Sequence, residues 1–350
     1  MTPDIVFPYL PMEAKLAAKL PTGTDWQYEP KWDGFRCIAF RDGAKIELQS
    51  KAGQPLGRYF PEVIAGLAQT AAKRFVLDGE LIVAENGKLV FDDLLQRIHP
   101  AESRIQTLSR KTPAKLVVFD LLKDEKGTVL TDLPLRERRE KLAHFYSNFL
   151  SSSEVTEMSS ATTDIKVASE WLRTMRGQLD GIVAKRLDEN YRSGERAMLK
   201  VKNIRSADCV VGGFRYGTGK KTAGSLLLGL YDSEGLLNHV GFTSSMPNSE
   251  REELTARLEK LIEPPGFTGR APGGPSRWST ERSTEWQPLR PELVVEVQYD
   301  HFTGERFRHG TKFLRWRPDK APEQCTVKQV QFESKVSFTL LTARGSSSGI

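Results

Sequence analysis

Short apolar runs alternate with segments of helical period over residues 28–203. Apolar and β-branched runs predict strands at 36–40, 45–49, 75–84, 116–122, 181–184 and 199–202. A helical period predicts helices at 61–73, 135–150 and 164–175, the last with Asp164 as its N-cap. The Ser-rich stretch 151–160 is interpreted as a polar surface loop. Together these elements predict a mixed α+β domain.

The pattern changes near residue 207, where strand-like segments dominate. They lie at 208–216, 225–231, 237–242 and 293–299, and one amphipathic helix is predicted at 248–262. Strands and a single helix in this arrangement suit a small β-barrel of the OB-fold type. The Gly- and Pro-rich stretch 264–275 is predicted to be a long loop. We therefore expect an α+β domain at 1–203, an OB-fold domain at 207–322 and a C-terminal tail at 323–350, with 345–350 disordered.

Composition excludes several classes of protein. With 350 residues, of which 39% are hydrophobic and 27% charged, the chain is neither disordered nor fibrous and is long enough for two domains. No apolar run approaches the roughly 18 residues needed to span a bilayer, and residues 1–20 lack the pattern of a secretory signal. Three widely spaced cysteines, Cys37, Cys209 and Cys325, argue against a disulfide framework and a cysteine zinc site. These features predict a cytoplasmic protein without a membrane segment.

The net charge of +6 is concentrated in two segments. Residues 181–220 contain nine Lys or Arg and four Asp or Glu, and residues 301–320 contain six and two. Two basic segments in an otherwise acidic chain suggest a surface for a polyanion. Charge alone leaves open the alternative of two solvated faces with no partner.

One lysine and several acids stand at positions suited to chemistry. The segment EPKWDGFR at 29–36 places Lys31 between a turn and a strand. Asp78 and Glu80 flank a glycine within a predicted strand, where a carboxylate can reach a sheet edge or a cleft. Asp180 precedes a glycine ahead of another strand, a position from which a carboxylate can hold a hard cation. Each of these features alone is equally compatible with a surface residue.

An aromatic residue and two pairs of cations complete the set. Phe119 ends an apolar run and is either a core residue or a stacking face for a base. Lys200 and Lys202 are two apart on a predicted strand, so they share a face and repel each other unless an anion such as a phosphate lies between them. Arg317 and Lys320, in the segment RWRPDK at 315–320, are spaced to clamp phosphates. This inventory suits nucleotidyl transfer.

In this order, the segments resemble the motif set of covalent lysine nucleotidyltransferases, and specifically of ATP-dependent DNA ligases. EPKWDGFR and RWRPDK are most similar to the bacterial DNA ligase C group and to the related ligase module of DNA ligase D, and the resemblance extends over residues 28–320. It implies a nucleotidyltransferase (adenylation) domain followed by an OB-fold domain, with a hinge near 203–207. It also implies ATP and Mg²⁺ or Mn²⁺ as cofactors.

The resemblance implies a three-step reaction. The motif lysine, here Lys31, attacks the α-phosphorus of ATP to form lysyl-AMP and release pyrophosphate. The AMP then moves to the 5′-phosphate of a nicked duplex, and the adjacent 3′-OH displaces it. Lysine attacks only without its proton, and neighbouring cations favour the loss of that proton and stabilise charge on the phosphoryl oxygens.

The resemblance also assigns roles to individual residues. Arg36 and Lys51 are expected at the sugar, Glu80 at the ribose hydroxyls and Phe119 against adenine. Asp180, together with Glu80, is expected to hold the metal. Many relatives carry Glu where Asp180 stands and Arg where Lys51 stands, which shortens one carboxylate's reach and removes one bidentate fork. The full set of expected nucleotide-binding residues is Glu29, Arg36, Lys51, Glu80, Phe119, with Lys200 and Lys202 at the α-phosphate and Arg317 and Lys320 at the β and γ phosphates.

Alternative functions remain open at this stage. An RNA ligase or a GTP-dependent capping guanylyltransferase shares the lysine motif, and a non-catalytic nucleic-acid-binding scaffold is a third possibility. The segment GTGKKT at 217–222 lacks the pattern of a phosphate loop, and the five histidines lack metal-ligand spacing. The expected substrate is nicked or gapped duplex DNA, sealed in base excision repair, gap repair or end joining. A primase-polymerase partner, a monomeric state and a place at the nucleoid in a bacterial cytoplasm are expected by the same resemblance.

Overall fold

The chain divides into two compact units. The computed structural model describes residues 4–175, 179–217, 219, 222–246, 248–273, 285–331 and 338–342. One unit comprises Met1–Asn203 with Ser334–Ile350, and the other comprises Ile204–Glu333. Within the described ranges, no helix has the length and apolar character needed to cross a membrane.

The first unit is built on two sheets. Its strands are β1 (Glu13–Leu16), β2 (Trp26–Lys31), β3 (Phe35–Asp42), β4 (Lys45–Ser50), β5 (Arg74–Glu85), β6 (Lys88–Leu89), β7 (Ala114–Lys123), β8 (Thr156–Met158), β9 (Gly181–Arg186) and β10 (Arg196–Lys202). The larger sheet has the order β4-β3-β5-β7-β8 with β6 beside β5, and the smaller has the order β1-β10-β9-β2. Because β2 and β3 belong to different sheets, the segment 29–36 runs from one sheet to the other.

Five α-helices accompany these sheets in the part of the unit that the structure describes. Side chains of the first and fourth helices, among them Leu67 and Phe145, pack with Leu77 and Leu116 of the larger sheet in one apolar core. The carboxylate of Asp164 accepts a hydrogen bond of 2.7 Å from the backbone N–H of Lys166, which confirms the predicted N-cap. The helices are α1 (Pro61–Gln69), α2 (Phe91–Gln96), α3 (Glu102–Lys111), α4 (Leu135–Phe145) and α5 (Ile165–Thr174), with a π-helical turn at Tyr146–Leu150 after α4.

The predicted surface loop at 151–160 is wrong in its centre. Strand β8 pairs in parallel with β7, and Thr156 and Glu157 are buried. Their polar groups have partners, since the Thr156 hydroxyl donates to the carbonyl of Leu150 at 2.9 Å and Lys115 donates to Glu157 at 2.9 Å. The sequence pattern also overextended α1, which ends at Gln69, and missed β1, β2, α2 and α3.

Within the described residues, the second unit contains a curved six-stranded sheet, a two-stranded sheet and one α-helix. Its elements are β11 (Arg205–Tyr216), β12 (Ala223–Tyr231), β13 (Leu237–Thr243), α6 (Arg251–Glu259), β14 (Gln287–Pro288), β15 (Val294–Tyr299), β16 (Phe302–Thr303), β17 (Arg306–Phe307) and β18 (Lys312–Trp316). The larger sheet has the order β13-β12-β11-β15-β18, with β14 beside β11, and β16 pairs with β17. The Thr243 hydroxyl donates to the carbonyl of Thr311 at 3.0 Å, and the two residues form a β-bridge, so the end of β13 meets the start of β18 and closes the barrel.

The predicted elements of this unit are present, with shorter bounds for the helix. The helix predicted at 248–262 is α6 preceded by one 3-10 turn. Residues 266–273 of the predicted loop contain neither helix nor strand, and its last residues lie outside the described ranges.

The C-terminal residues differ from the predicted tail. Cys325 and Val330 are buried in the core of the second unit. Leu341 and Thr342 are buried in the first unit, where Leu341 joins an apolar cluster. The tail prediction did not anticipate this burial because the buried apolar residues, Cys325, Val330 and Leu341, are widely separated and follow no common helix or strand period. Residues 345–350 lie outside the described ranges.

Candidate active site

A cavity of about 200 Å³ in the first unit is lined by strands of both sheets. Asp180 and Lys202 do not line it. Asp180 forms an ion pair with Lys31, and Lys202 lies near the same carboxylate. The residues predicted from the sequence that do line it are Glu29, Lys31, Arg36, Lys51, Glu80, Phe119 and Lys200. All nine predicted site residues of this unit are therefore gathered around one cavity.

Lys31 lies at the end of β2, and its ammonium group forms an ion pair with Asp180. The other carboxylate oxygen of Asp180 is 3.8 Å from Nζ of Lys202. Asp180 is buried, whereas about a quarter of the Lys31 side chain is exposed. Burial lowers the pKa of Lys200 on β10, and the charges of Lys31 and Lys202 lower it further. One carboxylate thus lies among three lysines, with the predicted nucleophile in direct contact with it.

Two glycines let the backbone approach closely enough to form this arrangement. A Cβ on Gly34 would lie 2.1 Å from the carbonyl oxygen of Leu81 and 3.0 Å from the side chain of Glu80. Gly181 pairs with Lys31 across β2 and β9, has a φ of +148°, and leaves no space for a Cβ, which would lie 2.0 Å from the carbonyl oxygen of Val201. Glycine is required at both positions for steric reasons.

A network of buried hydrogen bonds fixes Arg36. Its guanidinium donates two bonds of 2.6 Å to the carboxylate of Asp78, which is fully buried. The hydroxyl of Tyr191 donates to the same carboxylate at 2.7 Å and accepts a bond from the backbone N–H of Met12 at 2.9 Å. Asp78 was noted in the sequence only as the neighbour of Glu80, and Tyr191 carried no signal. Both hold a cation at the cavity.

Glu80 and Lys51 line the cavity in different electrostatic environments. Burial raises the pKa of Glu80 to about 7, although Lys31 and Arg36 act to lower it. Lys51, which is largely exposed, forms an ion pair of 2.8 Å with Glu13. The pKa of Glu80 therefore lies close to neutral pH, whereas Lys51 is an exposed cation at the end of a long side chain.

Lys185 is a cavity residue that the sequence analysis did not identify. It is almost fully buried, and its ammonium group forms an ion pair of 2.7 Å with Glu29, which also accepts a bond from Gln27 at 2.7 Å. The same ammonium group lies 4.7 Å from the centroid of the Phe119 ring, as does the guanidinium carbon of Arg36. The available signal in the sequence was a lysine directly after the predicted strand in the segment DGIVAK.

The acidic residues suit a cation that is held partly by phosphates. No group of three or more metal-ligating side chains occurs among the described residues. Mg²⁺ does not need such a group, because it is commonly bound by one or two carboxylates with water and substrate phosphates. Glu80 on the cavity wall and Asp180 beside Lys31 provide two carboxylates of this kind. The donor set therefore fits a nucleotide-bound magnesium ion.

In the second unit, the predicted phosphate clamp is held by carboxylates. Arg317 donates to Asp208 at 2.8 Å, and Lys320 donates to the other oxygen of Asp208 at 2.7 Å. Arg317 also donates to Asp319, and the backbone N–H and carbonyl of Asp208 are both bonded to the side chain of Gln329. The two cations are brought together as predicted, but Asp208, which the sequence analysis did not identify, shares them.

Both units match families of known function. Residues 11–202 match the family described as the ATP dependent DNA ligase domain, and residues 219–320 match the ATP dependent DNA ligase C terminal region. The chain belongs to the ATP-dependent DNA ligase family. These matches confirm the predicted adenylation domain followed by an OB-fold domain, and with them the activity, the ATP-dependent ligation of DNA.

Individual relatives agree with the resemblance found in the sequence. This ligase is 45% identical over 334 residues to DNA ligase C1 of Mycolicibacterium smegmatis, across 92% of this chain and 94% of that protein. It is 27% identical over 310 residues to the multifunctional non-homologous end joining DNA repair protein LigD of Mycobacterium tuberculosis, across 86% of this chain and 37% of that protein. A solved structure of a Lig E DNA ligase has a TM-score of 0.55 at 16% identity, across 89% of this chain and 100% of that one, a likeness of fold alone.

Proposed function

We propose that this ligase seals nicks in duplex DNA through a covalent AMP intermediate on Lys31. The observation that carries the proposal is the ion pair between Lys31 and Asp180, at the edge of a cavity that also presents Arg36 and Lys200. An amine, a carboxylate and two further cations around a space for a nucleotide are the groups that adenylyl transfer requires.

Asp180 orients the nucleophile in the proposed first step and receives its proton. The nitrogen of Lys31 then forms a bond to the α-phosphorus of ATP, while the bond to the pyrophosphate oxygen breaks and pyrophosphate leaves with the electron pair. Lys200 and Lys202 stabilise the negative charge that spreads over the phosphoryl oxygens in the transition state. Glu80 and Asp180 would hold a magnesium ion together with the phosphates, and the ion would supply further charge neutralisation.

The rest of the nucleotide is held by the other cavity residues. Phe119 stacks on adenine, Glu80 accepts hydrogen bonds from the ribose hydroxyls, and Lys51 reaches the sugar. Glu29 acts through Lys185, which it holds beside the ring of Phe119. Arg317 and Lys320 orient the β and γ phosphates for departure, which requires them to exchange part of their contact with Asp208 for the nucleotide.

The second and third steps join the DNA. The 5′-phosphate at the nick attacks the phosphorus of lysyl-AMP, which frees Lys31 and leaves AMP on the DNA. The 3′-OH then attacks that 5′-phosphate and AMP leaves. The basic segments 181–220 and 301–320 bind the DNA backbone.

Labelling with α-³²P-ATP tests the first step. The parent protein is expected to become labelled, whereas Lys31→Ala remains unlabelled. The matched control is Lys15→Ala, which removes an exposed lysine of β1 and keeps full labelling. Labelling by GTP would favour a guanylyltransferase, and absence of labelling in the parent would favour a scaffold.

Sealing of a nicked duplex tests the remaining steps. Labelled parent protein is expected to join a 5′-phosphorylated nick in DNA with Mg²⁺ and to release AMP. A nick in an RNA duplex, assayed in parallel, is expected to be joined far more slowly, and the reverse preference would contradict the proposal.

We infer a role in DNA repair, because a relative of this ligase is named for end joining and repair. The proposed setting is gap filling or base excision in a bacterial cytoplasm, with the ligase as a monomer and a primase-polymerase as partner. Gel filtration tests the monomer, and sealing of a gapped duplex with and without an added polymerase tests the partnership.

A further inference from the structure

The segment 338–342 packs against the rear of the candidate active site. Leu341 is 1% exposed and belongs to the same apolar cluster as Trp32 and Phe119. Both of these aromatic residues line the cavity, whereas Leu341 does not. Leu341 therefore belongs to the apolar cluster that supports the two rings, without lining the cavity itself.

Backbone hydrogen bonds fix this segment in place. The N–H of Ser160 donates to the carbonyl of Leu341 at 2.8 Å, and Ser159 forms an antiparallel β-bridge with Thr342. The Thr342 side chain is fully buried and donates to the carbonyl of Thr339 at 3.0 Å. A single turn held by paired backbone and two buried side chains is docked in a defined position.

The same contacts connect the segment to the nucleophile. The hydroxyl of Ser159, which pairs with Thr342, accepts a hydrogen bond of 2.9 Å from the indole nitrogen of Trp32. Trp32 follows Lys31 directly in the chain. Trp32 is therefore linked to the C-terminal segment in two ways, by its hydrogen bond to Ser159 and by the apolar cluster that it shares with Leu341.

We propose that residues 338–342 are a positioning element of the adenylation site. The segment holds Phe119 and Trp32, and through Trp32 the start of the Lys31 side chain, in the geometry that binds ATP. This inference rests on the proposed function, because it assigns the effect to the step in which Lys31 reacts with ATP. Since Leu341 touches neither ATP nor the reacting atoms, its effect acts through the two rings.

Two truncations and two substitutions at Leu341 test this inference. A chain ending at Ser337 lacks the segment, and a chain ending at Thr342 retains it as the matched control. The shorter chain and Leu341→Asp are expected to raise the KM for ATP in Lys31 adenylation by about tenfold or more, because displaced binding groups cost strongly in rate. The control and Leu341→Met are expected to stay within about twofold of the parent.

A rescue experiment separates positioning from general stability. A peptide of residues 332–350 is added to the chain ending at Ser337 at a temperature where that chain remains folded. The peptide is expected to restore the KM for ATP, and the same peptide with Leu341→Asp is not. A lowered melting temperature with an unchanged KM overturns the inference, as does a KM that no peptide restores. If the parent itself fails to label with ATP, the proposed function fails instead.

Discussion

At the residue scale, three cations at the cavity pair with carboxylates that are more deeply buried or equally buried. Arg36 pairs with Asp78, Lys185 with Glu29, and Lys31 with Asp180. Such a partner fixes the cation and keeps its charge, but it also makes the pair costly to break, because the remaining group stays buried without compensation. The site therefore depends on acids that do not touch the nucleotide.

Removal of Asp78 is expected to destabilise the protein and weaken ATP binding. Asp78→Ala leaves Arg36 without its carboxylate and should lower the free energy of unfolding by about 3–5 kcal/mol. The control Asp42→Ala breaks an exposed pair with Arg74 at 3.4 Å and should cost less than about 1 kcal/mol. Urea unfolding measures both, and equal losses would contradict this account of the buried pair.

Glu80 makes stability depend on pH in a predictable direction. Its folded-state pKa of about 7 is raised from its ordinary value of 4.5, so the folded state holds a proton that the unfolded state releases between these values. This contribution to stability is present below pH 4.5 and is lost as pH rises towards 7. Glu80→Gln removes the titration, so its stability relative to the parent should improve by on the order of 3 kcal/mol between pH 4.5 and pH 8.

Thermal unfolding without nucleotide or metal measures this difference. The melting temperatures of the parent and Glu80→Gln are compared at each pH in the same buffer series. A difference that stays constant across the series would show that Glu80 titrates near its ordinary range.

At the scale of elements, the site depends on how β2, β9 and β10 are paired. Lys31 ends β2 opposite Gly181, and Gly181 lies against Val201 and Lys202 of β10. This pairing places Asp180, the residue before β9, next to the lysines of both neighbouring strands. The position of the carboxylate is thus a consequence of strand register and of a glycine.

Gly181→Ala is expected to disrupt this register. The new Cβ would lie 2.0 Å from the carbonyl oxygen of Val201 at a φ of +148°, so both steric overlap and backbone strain oppose it. We expect a loss of stability of several kcal/mol, roughly 3 or more, and loss of Lys31 labelling. Gly310→Ala is the control, because no atom lies within 4 Å of its Cβ position, and it should retain both.

Sequence patterns predicted those parts of the fold in which burial produces a run or a period of apolar residues. The strands around Ile38, Leu77 and Val118 carry apolar runs, and their positions agree with β3, β5 and β7. Strand β8 left no such pattern, because its buried Thr156 and Glu157 are polar and are satisfied by the carbonyl of Leu150 and by the distant Lys115. The same limit applies to the site: motifs marked the groups around the cavity, but the partners of Arg36 and Arg317 depend on tertiary contacts.

At the scale of the whole molecule, the excess of four positive charges in the segment 301–320, six Lys or Arg against two Asp or Glu, overstates the charge available to DNA. Arg317 and Lys320 share Asp208, and Arg317 also pairs with Asp319, so this group of two cations and two carboxylates is neutral. Lys31 and Arg36 are likewise paired in the cavity. DNA binding must therefore rely on other exposed cations, and affinity for a nick should fall steeply with salt because phosphate contacts release counterions.

The salt dependence of nick binding distinguishes the two kinds of cation in the segment 301–320. Lys312 is exposed at the start of β18, so Lys312→Ala should reduce the slope of log K against log salt by about 0.9, the value for one lost phosphate contact. Lys320→Ala removes a cation already paired with Asp208 and should leave that slope unchanged while it slows Lys31 adenylation. Fluorescence anisotropy with a labelled nicked duplex between low and physiological salt measures the slopes. If Lys320→Ala lowered the slope as much as Lys312→Ala, the paired cation would be a DNA contact, and the division between nucleotide clamp and DNA surface would be wrong.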